Sequence, residues 1–264
     1  MLIVFWRIRS LWTYWRKAVS RHGVHSPFVF EFIHYVMAPM HFYAFDELEE
    51  LRRKMLQDER LIEVNDLGAG SKKGAKQMRK VSEIANVSLS PKISCQVLFR
   101  LINHYELRNQ IELGTSLGLS SLYLAASSSK NNLTTFEGSP EIADVALENF
   151  GRSSVQNIEL IKGNFDSKLS EHLENKSNSI DFAFVDGNHR KDATLRYYEQ
   201  LLAKTHEGSV LVFDDIHWSP PMEEAWAEIV ADSRNSITID WYRLGFVFFR
   251  KGIEKQHFVL KQRP

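Results

Sequence analysis

The stretch that decides the fold is Glu112-Leu-Gly-Thr-Ser-Leu-Gly-Leu-Ser120. It continues the short apolar run Gln110–Leu113 and opens a helix-length segment near 119–128. Glycines between a strand and a helix let the backbone approach a ligand closely, and the N–H groups of the helix start face that ligand. The next apolar run, Leu133–Phe136, is followed by Glu137, roughly 20 residues after the glycines, where an acid can accept hydrogen bonds from a ribose diol. This spacing predicts a nucleotide-binding turn over 112–120.

The same alternation of short apolar runs and helix-length segments continues towards the C-terminus. Further runs lie at Ile158–Ile161, Ile180–Val185 and Ser209–Phe213, and further helical segments lie near 140–150, 166–174, 191–204 and 220–232. Apolar strands separated by helices are typical of a parallel sheet covered on both faces, and right-handed crossovers make it doubly wound. Ile237–Trp241 and Leu244–Arg250 are too close for an intervening helix, which predicts an antiparallel hairpin. We expect an α/β fold with a doubly wound, mostly parallel, seven-stranded sheet.

The first 105 residues lack this alternation and are expected to be mostly helical. Pro27 after Ser26 fits the first position of a helix, and the predicted helices lie over Phe28–Val36, Phe45–Leu56, 74–86 and 91–104. We therefore expect two regions. Residues 1–105 form a helical N-terminal extension that acts as a lid or a dimerisation region, and residues 106–264 form the ligand-binding domain.

The N-terminal segment reads as an amphipathic basic helix. The first 30 residues contain Arg7, Arg9, Arg16, Lys17 and Arg21 and no acid, and they hold three of the six tryptophans, Trp6, Trp12 and Trp15. Apolar residues recur there at helical spacing. The favoured interpretation is a helix docked on its own domain or on a second subunit, because helical apolar stripes usually face a core. Contact with an anionic membrane surface is the alternative.

Composition excludes several classes of protein. Lys plus Arg and Asp plus Glu both number 33, so the formal net charge is zero and no whole-protein basic surface for DNA is present. The single cysteine, Cys95, excludes an intramolecular disulfide and a multi-cysteine metal site. No run reaches the roughly 18 apolar residues of a membrane-spanning helix, and the start of the chain has no signal-peptide pattern. The cytoplasm is the expected compartment.

A second glycine-rich segment, Asp66-Leu-Gly-Ala-Gly-Ser71, competes with 112–120 as the nucleotide turn. It has no following strand and no acid in the required register. We interpret it as a loop with a tight glycine turn, and a secondary role in anion or substrate binding stays open.

Carboxylates follow the fourth and fifth predicted strands. Asp186 comes after Ile180–Val185, and Asp214 and Asp215 come after Phe213. Ligands of doubly wound sheets bind beyond the carboxyl ends of the strands, so these acids are expected to meet at one rim. Like charges repel, and a divalent cation relieves the repulsion; oxygen ligands favour Mg²⁺, Ca²⁺ or Mn²⁺. The alternative is that the acids cap helices, but Asp186 is followed by Gly187-Asn188-His189 rather than by an immediate helix.

These motifs together resemble the class I S-adenosylmethionine-dependent methyltransferases. The resemblance rests on Glu112–Ser120, Glu137, Ile180–Asp186, Val210–Asp215 and the terminal hairpin, and it covers about 105–250. It is closest to the small-molecule O-methyltransferase branch, of which catechol O-methyltransferase is a member. The N-terminal third has no counterpart there.

The resemblance implies S-adenosylmethionine as the cofactor and assigns residues to it. In the turn that opens with Glu112, Gly114, Thr115, Ser116 and Gly118 would wrap the methionine part, and Ser120 would reach its carboxylate. Glu137 would accept both ribose hydroxyls, and Gly138 would leave room for the adenine. Asn164 and Phe165 would flank the adenine ring, with Asn164 standing where many members carry an acid. Asp186 would line the cofactor site as well as the metal site.

The resemblance also implies the reacting groups. Asp186 and Asp214 match acids that hold Mg²⁺ in the metal-dependent members, and Asp215 replaces the usual Asn as third ligand. His189 stands where the catechol-type enzymes carry a lysine base, and a neutral imidazole can remove a hydroxyl proton near pH 7. His217 is the alternative base or a further ligand.

The resemblance implies methyl transfer from S-adenosylmethionine to an oxygen of a small-molecule hydroxyl acceptor, assisted by a divalent metal. An RNA methyltransferase and a non-catalytic cofactor-binding or assembly protein are the alternatives. A nicotinamide dehydrogenase is disfavoured because the terminal hairpin is absent from that class and Thr115-Ser116 replaces its tight glycine pair. A homodimer is the expected assembly.

Overall fold

The structure is a computed structural model, and it describes residues 2–65, 76–175 and 179–262. Ten α-helices lie in this part of the chain: α1 (Leu2–Lys17), α2 (Pro27–Phe32), α3 (Ala44–Leu56), α4 (Val81–Ser88), α5 (Lys92–Tyr105), α6 (Leu119–Ala126), α7 (Pro140–Gly151), α8 (Phe165–Asn175), α9 (Lys191–Leu202) and α10 (Pro220–Ala231). A 3₁₀ turn at Arg21–Gly23 precedes α2, and a π-helical turn at Ile33–Met37 continues it.

Seven of the ten strands in the described part of the chain follow the order that the apolar runs predict. The ten are β1 (Leu61–Asn65), β2 (Lys76–Lys80), β3 (Asn109–Leu113), β4 (Asn132–Glu137), β5 (Ile158–Lys162), β6 (Ile180–Val185), β7 (Thr205–Phe213), β8 (Ile237–Trp241), β9 (Leu244–Phe248) and β10 (Gln256–Val259). From β3 to α10, strands and helices alternate as in a doubly wound α/β fold. The predicted fold class is confirmed.

The chain divides into two compact units by packing. Unit 1 comprises Met1–Ala38 and Asn178–Pro264, and unit 2 comprises Pro39–Ser177. In unit 1 the strands lie in the order β10-β8-β9-β7-β6 with mixed pairing, and in unit 2 they lie in the order β3-β4-β5 with parallel pairing. Strand β9 runs antiparallel to both β7 and β8, so the predicted terminal hairpin is confirmed. The predicted division near residue 105 concerns function and stays a prediction.

Two details of secondary structure differ from the sequence prediction. The helix predicted over 74–86 begins only at Val81, because Lys76–Lys80 pairs antiparallel with Leu61–Asn65 as β2. The residues of β2 are good helix formers, so strand pairing overrides their intrinsic preference. Strand β10 is an eighth strand in addition to the predicted seven, and it pairs parallel with β8. Its four residues are too few to give a periodic signal. The Asp66–Ser71 turn lies outside the described residues.

Among the described residues, no helix combines the length and the apolar character needed to cross a membrane.

The core of unit 2 determines where the turn after β3 lies. Helices α3 to α7 pack around a cluster that includes Phe45, Tyr123 and Phe150. Gly118 is the N-cap of α6 and has φ 85°, a left-handed conformation that favours glycine. A Cβ atom at this position would lie 2.4 Å from Cε1 of Phe150. Gly118 is therefore required both by the turn and by the close packing of α6.

We expect Gly118→Ala to destabilise unit 2 by about 2–4 kcal/mol, because it adds left-handed strain to a steric conflict with Phe150. Urea unfolding followed by circular dichroism measures the change. Gly151→Ala is the matched control, since no atom lies within 4 Å of its added Cβ, and its effect should stay within about 1 kcal/mol. Equal effects of the two substitutions would contradict this account of Gly118.

Candidate functional site

The turn after β3 is shaped by backbone conformation. Gly114, Ser116 and Gly118 have φ values of 106°, 48° and 85°. The N–H groups of Gly114 and Thr115 both donate to the carbonyl oxygen of Phe136 at the end of β4, at 3.0 and 3.1 Å. The N–H of Gly118 donates to the carbonyl of Thr115 at 2.8 Å. These bonds hold the turn against the carboxyl end of the neighbouring strand β4.

Glu137, the last residue of β4, is held between two loops of unit 2. The N–H of Ser116 donates to its Oε2 at 2.8 Å, and the N–H of Ser139 donates to its Oε1 at 2.9 Å. Burial raises the pKa of Glu137, while hydrogen bonds from the amides of Ser139, Ser116 and Gly138 act in the opposite direction. A carboxylate that keeps lone pairs beside a glycine turn is suited to accept hydrogen bonds from a vicinal diol.

Other predicted cofactor residues use their side chains inside unit 2. Glu112 is fully buried, and its Oε2 accepts hydrogen bonds from Ser121 and Thr135. Burial raises the pKa of Glu112 to about 7, against the effect of hydrogen bonds that include one from Ser120. Thr115 is buried and its hydroxyl meets that of Thr135 at 2.6 Å. These side chains fix the turn, and its backbone and Glu137 are left to face a ligand.

The residues after β5 form a second short loop in unit 2. Gly163 has φ 134°, and its N–H donates to the carbonyl of Glu137 at 2.8 Å. Asn164 is exposed, and its Oδ1 accepts from the N–H of Asp166, which ties the loop to the start of α8 at Phe165. This loop lies beside the carboxyl end of β4 because β4 and β5 pair in parallel. The predicted roles of Gly138, Asn164 and Phe165 towards an adenine ring stay predictions.

Unit 1 brings the predicted carboxylates together. Strands β6 and β7 pair in parallel with Val185 opposite Phe213, so Asp186 and Asp214 follow neighbouring strand ends. The side chain of Asp214 is 1% exposed, and its two oxygens accept from Nε and Nη2 of Arg243 at 2.9 and 2.6 Å. The same Nη2 lies 3.6 Å from Oδ1 of Asp215. We call Asp186, Asp214, Asp215 and Arg243 the acid cluster.

Burial and mutual repulsion dominate the electrostatics of the acid cluster. Burial, followed by the neighbouring Asp214 carboxylate, raises the pKa of both Asp186 and Asp215, and the charge of Arg243 partly opposes the rise. Burial lowers the pKa of Arg243, but the attraction of the three acids outweighs it and raises that pKa above the usual range. Arg243 is therefore a permanent cation inside the cluster.

The acid cluster does not fit the divalent ion that the sequence predicts. A bidentate guanidinium occupies both carboxylate oxygens of Asp214, which would have to be a ligand. Among the described residues, no group of three or more His, Cys, Asp and Glu side chains is arranged to hold a metal ion. The carboxylates do repel one another, as the sequence predicts. The side chain of Arg243, rather than a metal ion, relieves this repulsion.

The two predicted histidines have different surroundings. Nε2 of His189 lies 3.7 Å from Oδ1 of Asp186, with 30% of the His189 side chain exposed. His217 is clamped instead: Nδ1 lies 2.6 Å from Glu223 and Nε2 lies 2.8 Å from Asp240. Two carboxylate partners require two N–H donors, which only the protonated ring has. Burial lowers the pKa of His217, but these hydrogen bonds raise it overall to about 9.

Arg243 is the member of the acid cluster that the sequence did not predict. It lies in the two-residue turn between β8 and β9, beside Tyr242, whose φ is 60°. The sequence signal for Arg243 was the predicted hairpin, because this arginine lies in the turn between its two strands. Arg7 of α1 was not predicted as a site residue either: its guanidinium lies 4.1 Å from the ring centroid of Trp218, and its charge opposes the rise in the pKa of Asp215.

Sequence comparisons support the predicted resemblance. Residues 111–216 match the family model described as a methyltransferase domain. A catechol O-methyltransferase of Niastella koreensis is 28% identical over 111 residues, which are 41% of this chain and 49% of that protein. An uncharacterised protein of Acanthamoeba polyphaga mimivirus is 31% identical over 87 residues, 32% of this chain and 38% of that protein. The matches thus span about half or less of these curated relatives.

Solved structures show the same fold. An O-methyltransferase of Bacillus cereus in complex with SAH (S-adenosylhomocysteine) aligns with a TM-score of 0.56 at 19% identity, covering 83% of this chain and 96% of that one. An SAH-bound methyltransferase of Podospora anserina aligns with a TM-score of 0.59 at 15% identity, covering 87% and 98%. The predicted resemblance to class I methyltransferases is confirmed at the level of fold and domain.

We expect His217→Gln to change how stability depends on pH. Because the folded pKa of about 9 exceeds the ordinary value of 6.5, protonation of His217 stabilises the fold fully below pH 6.5, and this contribution disappears as pH rises through 9. Glutamine does not bind the proton. The wild-type advantage should therefore shrink by about 2–3 kcal/mol between pH 6 and pH 9.5.

Urea unfolding at a series of pH values measures this difference. The matched control is His206→Gln, which also replaces a histidine of unit 1. His206 is more exposed than His217 and pairs with a single carboxylate, Asp181. A wild-type advantage over His217→Gln that stays constant across the pH range would contradict the doubly paired imidazolium.

Proposed function

We propose that this chain, which carries a methyltransferase domain of the class I fold, transfers a methyl group from S-adenosylmethionine to an oxygen of a small-molecule acceptor. The observation that carries the proposal is the fixed Glu137 carboxylate, held by the amides of Ser116 and Ser139 at the carboxyl end of β4. The family match over 111–216 includes this strand and the turn before it.

The cofactor assignment follows from the geometry of unit 2. Glu137 would accept hydrogen bonds from the two ribose hydroxyls, because a carboxylate offers several acceptor sites on its two oxygens besides those that the backbone amides use. The backbone of Gly114–Gly118 would enclose the methionine part, and the side chains of Glu112, Thr115 and Ser120 would act by holding that backbone. Gly138, Asn164 and Phe165 would border the adenine. The SAH-bound relatives of the same fold are consistent with this ligand class.

Oxygen as the acceptor atom is inferred from the relatives and from unit 1. One curated relative is named a catechol O-methyltransferase, and one structural neighbour is named an O-methyltransferase. In unit 1, His189 is partly exposed and keeps a ring nitrogen that does not face Asp186. That nitrogen would take the proton of an acceptor hydroxyl, and Asp186 would stabilise the resulting imidazolium. His217 is already held by two acids, so it is assigned a positioning role.

The transfer itself would be an in-line displacement. S-adenosylmethionine supplies an electrophilic methyl group on a positively charged sulfur. The acceptor oxygen forms the new bond to this carbon as the sulfur–carbon bond breaks, so the sulfonium becomes a neutral thioether and the hydroxyl proton remains on His189. The chain's contribution is orientation of the two reactants and removal of the proton.

No step in this proposal runs through a divalent cation. The acid cluster carries its own cation, since Arg243 pairs with Asp214 and lies near Asp215. We propose that Arg243 replaces the predicted Mg²⁺ in neutralising the carboxylates, and that Asp214 serves to hold this guanidinium.

Calorimetric titration of S-adenosylhomocysteine tests the cofactor assignment. We expect binding of S-adenosylhomocysteine and no binding of NADH. Glu137→Ala should weaken the affinity about 10- to 100-fold, because it removes charged acceptors of two ligand hydroxyls. Glu174→Ala removes an exposed acid of α8 in the same unit and should leave the affinity unchanged. Absence of S-adenosylhomocysteine binding would overturn the cofactor assignment and with it the enzyme proposal.

Turnover of S-adenosylmethionine then tests the acceptor. Small molecules bearing catechol or other aromatic hydroxyls should be methylated on oxygen, and His189→Ala should lower kcat by about 100-fold, the usual scale of a lost general base. Methylation of RNA alone would favour an RNA methyltransferase. Cofactor binding without turnover of any acceptor would favour a non-catalytic cofactor-binding protein.

Removal of Arg243 tests the replacement of the metal. Wild-type protein should show no Mg²⁺ or Mn²⁺ binding heat, and its activity should persist in EDTA. Arg243→Met should cost about 3 kcal/mol, because it leaves buried acids without a cation, and it should acquire a melting temperature that rises with added Mn²⁺. Arg234→Met, which removes an exposed arginine paired with Glu199 and Asp232, should cost under about 1 kcal/mol and show no metal response. Metal binding by the wild type would contradict the assignment.

A further inference from the structure

Helix α1 docks on unit 1 by one face. Ser10 and Tyr14 lie one turn apart on the helix and are buried, and Ala18, directly after the helix, is buried as well. The Ser10 hydroxyl donates to Glu223, and the Tyr14 hydroxyl donates to the carbonyl oxygen of Leu260. The Tyr14 ring also lies 5.0 Å from the ring of Tyr242. This face supplies the contacts expected of a helix that belongs to its own unit.

The other face of α1 is apolar and exposed. Ile8, Leu11, Trp12 and Trp15 have exposed fractions of 64%, 39%, 59% and 53%. Their spacing of three and four residues places them on one side of the helix, because each residue turns the helix by about 100°. A band of two aliphatic and two indole side chains therefore runs along the side of α1 that the unit does not cover. We call it the outer band.

Only positive charge borders the outer band on this helix. Arg9 and Arg16 are exposed and fall beside Trp12 in the helical projection, and the guanidinium of Arg16 lies 4.6 Å from the Trp12 ring centroid. The first 30 residues contain no Asp or Glu, although the chain as a whole is neutral. The positive charge is thus concentrated where the exposed apolar side chains are.

We propose that the outer band of α1 binds an anionic membrane surface, with the helix axis in the plane of the lipid head groups. Tryptophan favours the interface between head groups and hydrocarbon, and arginine attracts anionic lipids. The length of 16 residues and the arginines within it suit a helix that lies on a bilayer rather than across it.

Charge decides between lipid and a second copy of the chain. A two-fold interface built on the outer band would bring α1 against α1 and place Arg9 and Arg16 beside their own copies. No acid among the first 30 residues is available to balance them. An anionic lipid surface supplies the missing negative charge. Membrane binding by α1 does not depend on the proposed methyl transfer.

Sedimentation of the full chain with lipid vesicles tests the proposal. We expect binding to vesicles that contain phosphatidylglycerol, weak binding to phosphatidylcholine alone, and loss of binding at high salt. The double substitution Arg9→Gln with Arg16→Gln should weaken binding about 30-fold, from about 1 kcal/mol per cation near the surface. Trp12→Ser with Trp15→Ser should abolish it.

The matched control is Arg53→Gln with Lys54→Gln, which removes two exposed cations of α3, and it should retain wild-type binding. All substituted side chains are exposed, so thermal unfolding should be unchanged. The proposal is overturned if the wild-type chain fails to bind anionic vesicles. It is also overturned if the outer-band variants convert a dimer to a monomer in sedimentation velocity while vesicle binding is unaffected.

Discussion

The pair of Asp214 and Arg243 is the interaction on which the acid cluster depends. Asp214 follows a strand that ends next to β6, so its carboxylate is buried beside that of Asp186 whatever its partner is. Taking a carboxylate out of water costs several kcal/mol unless a cation and hydrogen bonds accompany it. The hairpin of β8 and β9 carries Arg243 to this place, and its guanidinium satisfies both oxygens of Asp214. The hairpin of β8 and β9 thus supplies the charge that the carboxylates after β6 and β7 require.

Unit 2 meets the same constraint by different means. Glu112 is fully buried and has hydroxyl partners but no cation. Its pKa of about 7 means that the carboxyl group is partly protonated at neutral pH, which lowers the cost of burial. Glu137 is bound by backbone amides instead, and the amides favour its charged form. The acid at the strand tip is therefore the one suited to accept ligand hydrogen bonds, and the acid one strand earlier is suited to hold the turn.

The sequence predicts the elements of the alternating region well because each signal there is local. The strands Asn109–Leu113 and Ile180–Val185 fall on the predicted short runs, and α10 begins where Ser219 and Pro220 predict a helix start. Strand β2 was predicted as a helix because its residues are good helix formers. Pairing with β1 overrides that preference. The grouping of Asp186, Asp214 and Asp215 was predicted from strand order, but the identity of their cation was not. Arg243 is 29 residues beyond Asp214 in sequence, so only the hairpin geometry reveals the pair.

The N-terminal helix shows why a single hydrophobic pattern can be read in two ways. Sequence periodicity gives one apolar helix and offers a protein partner or a lipid partner as alternatives. In the structure the two faces separate: Ser10 and Tyr14 lie on the docked face, and Trp12 and Trp15 lie on the exposed one. The docked face reaches Glu223, which also holds His217, and His217 in turn holds Asp240. The position of α1 is thus tied through one imidazolium to α10 and β8. Since this network fixes the docked face of α1 on unit 1, the apolar side chains of the outer band are left for a partner outside the chain.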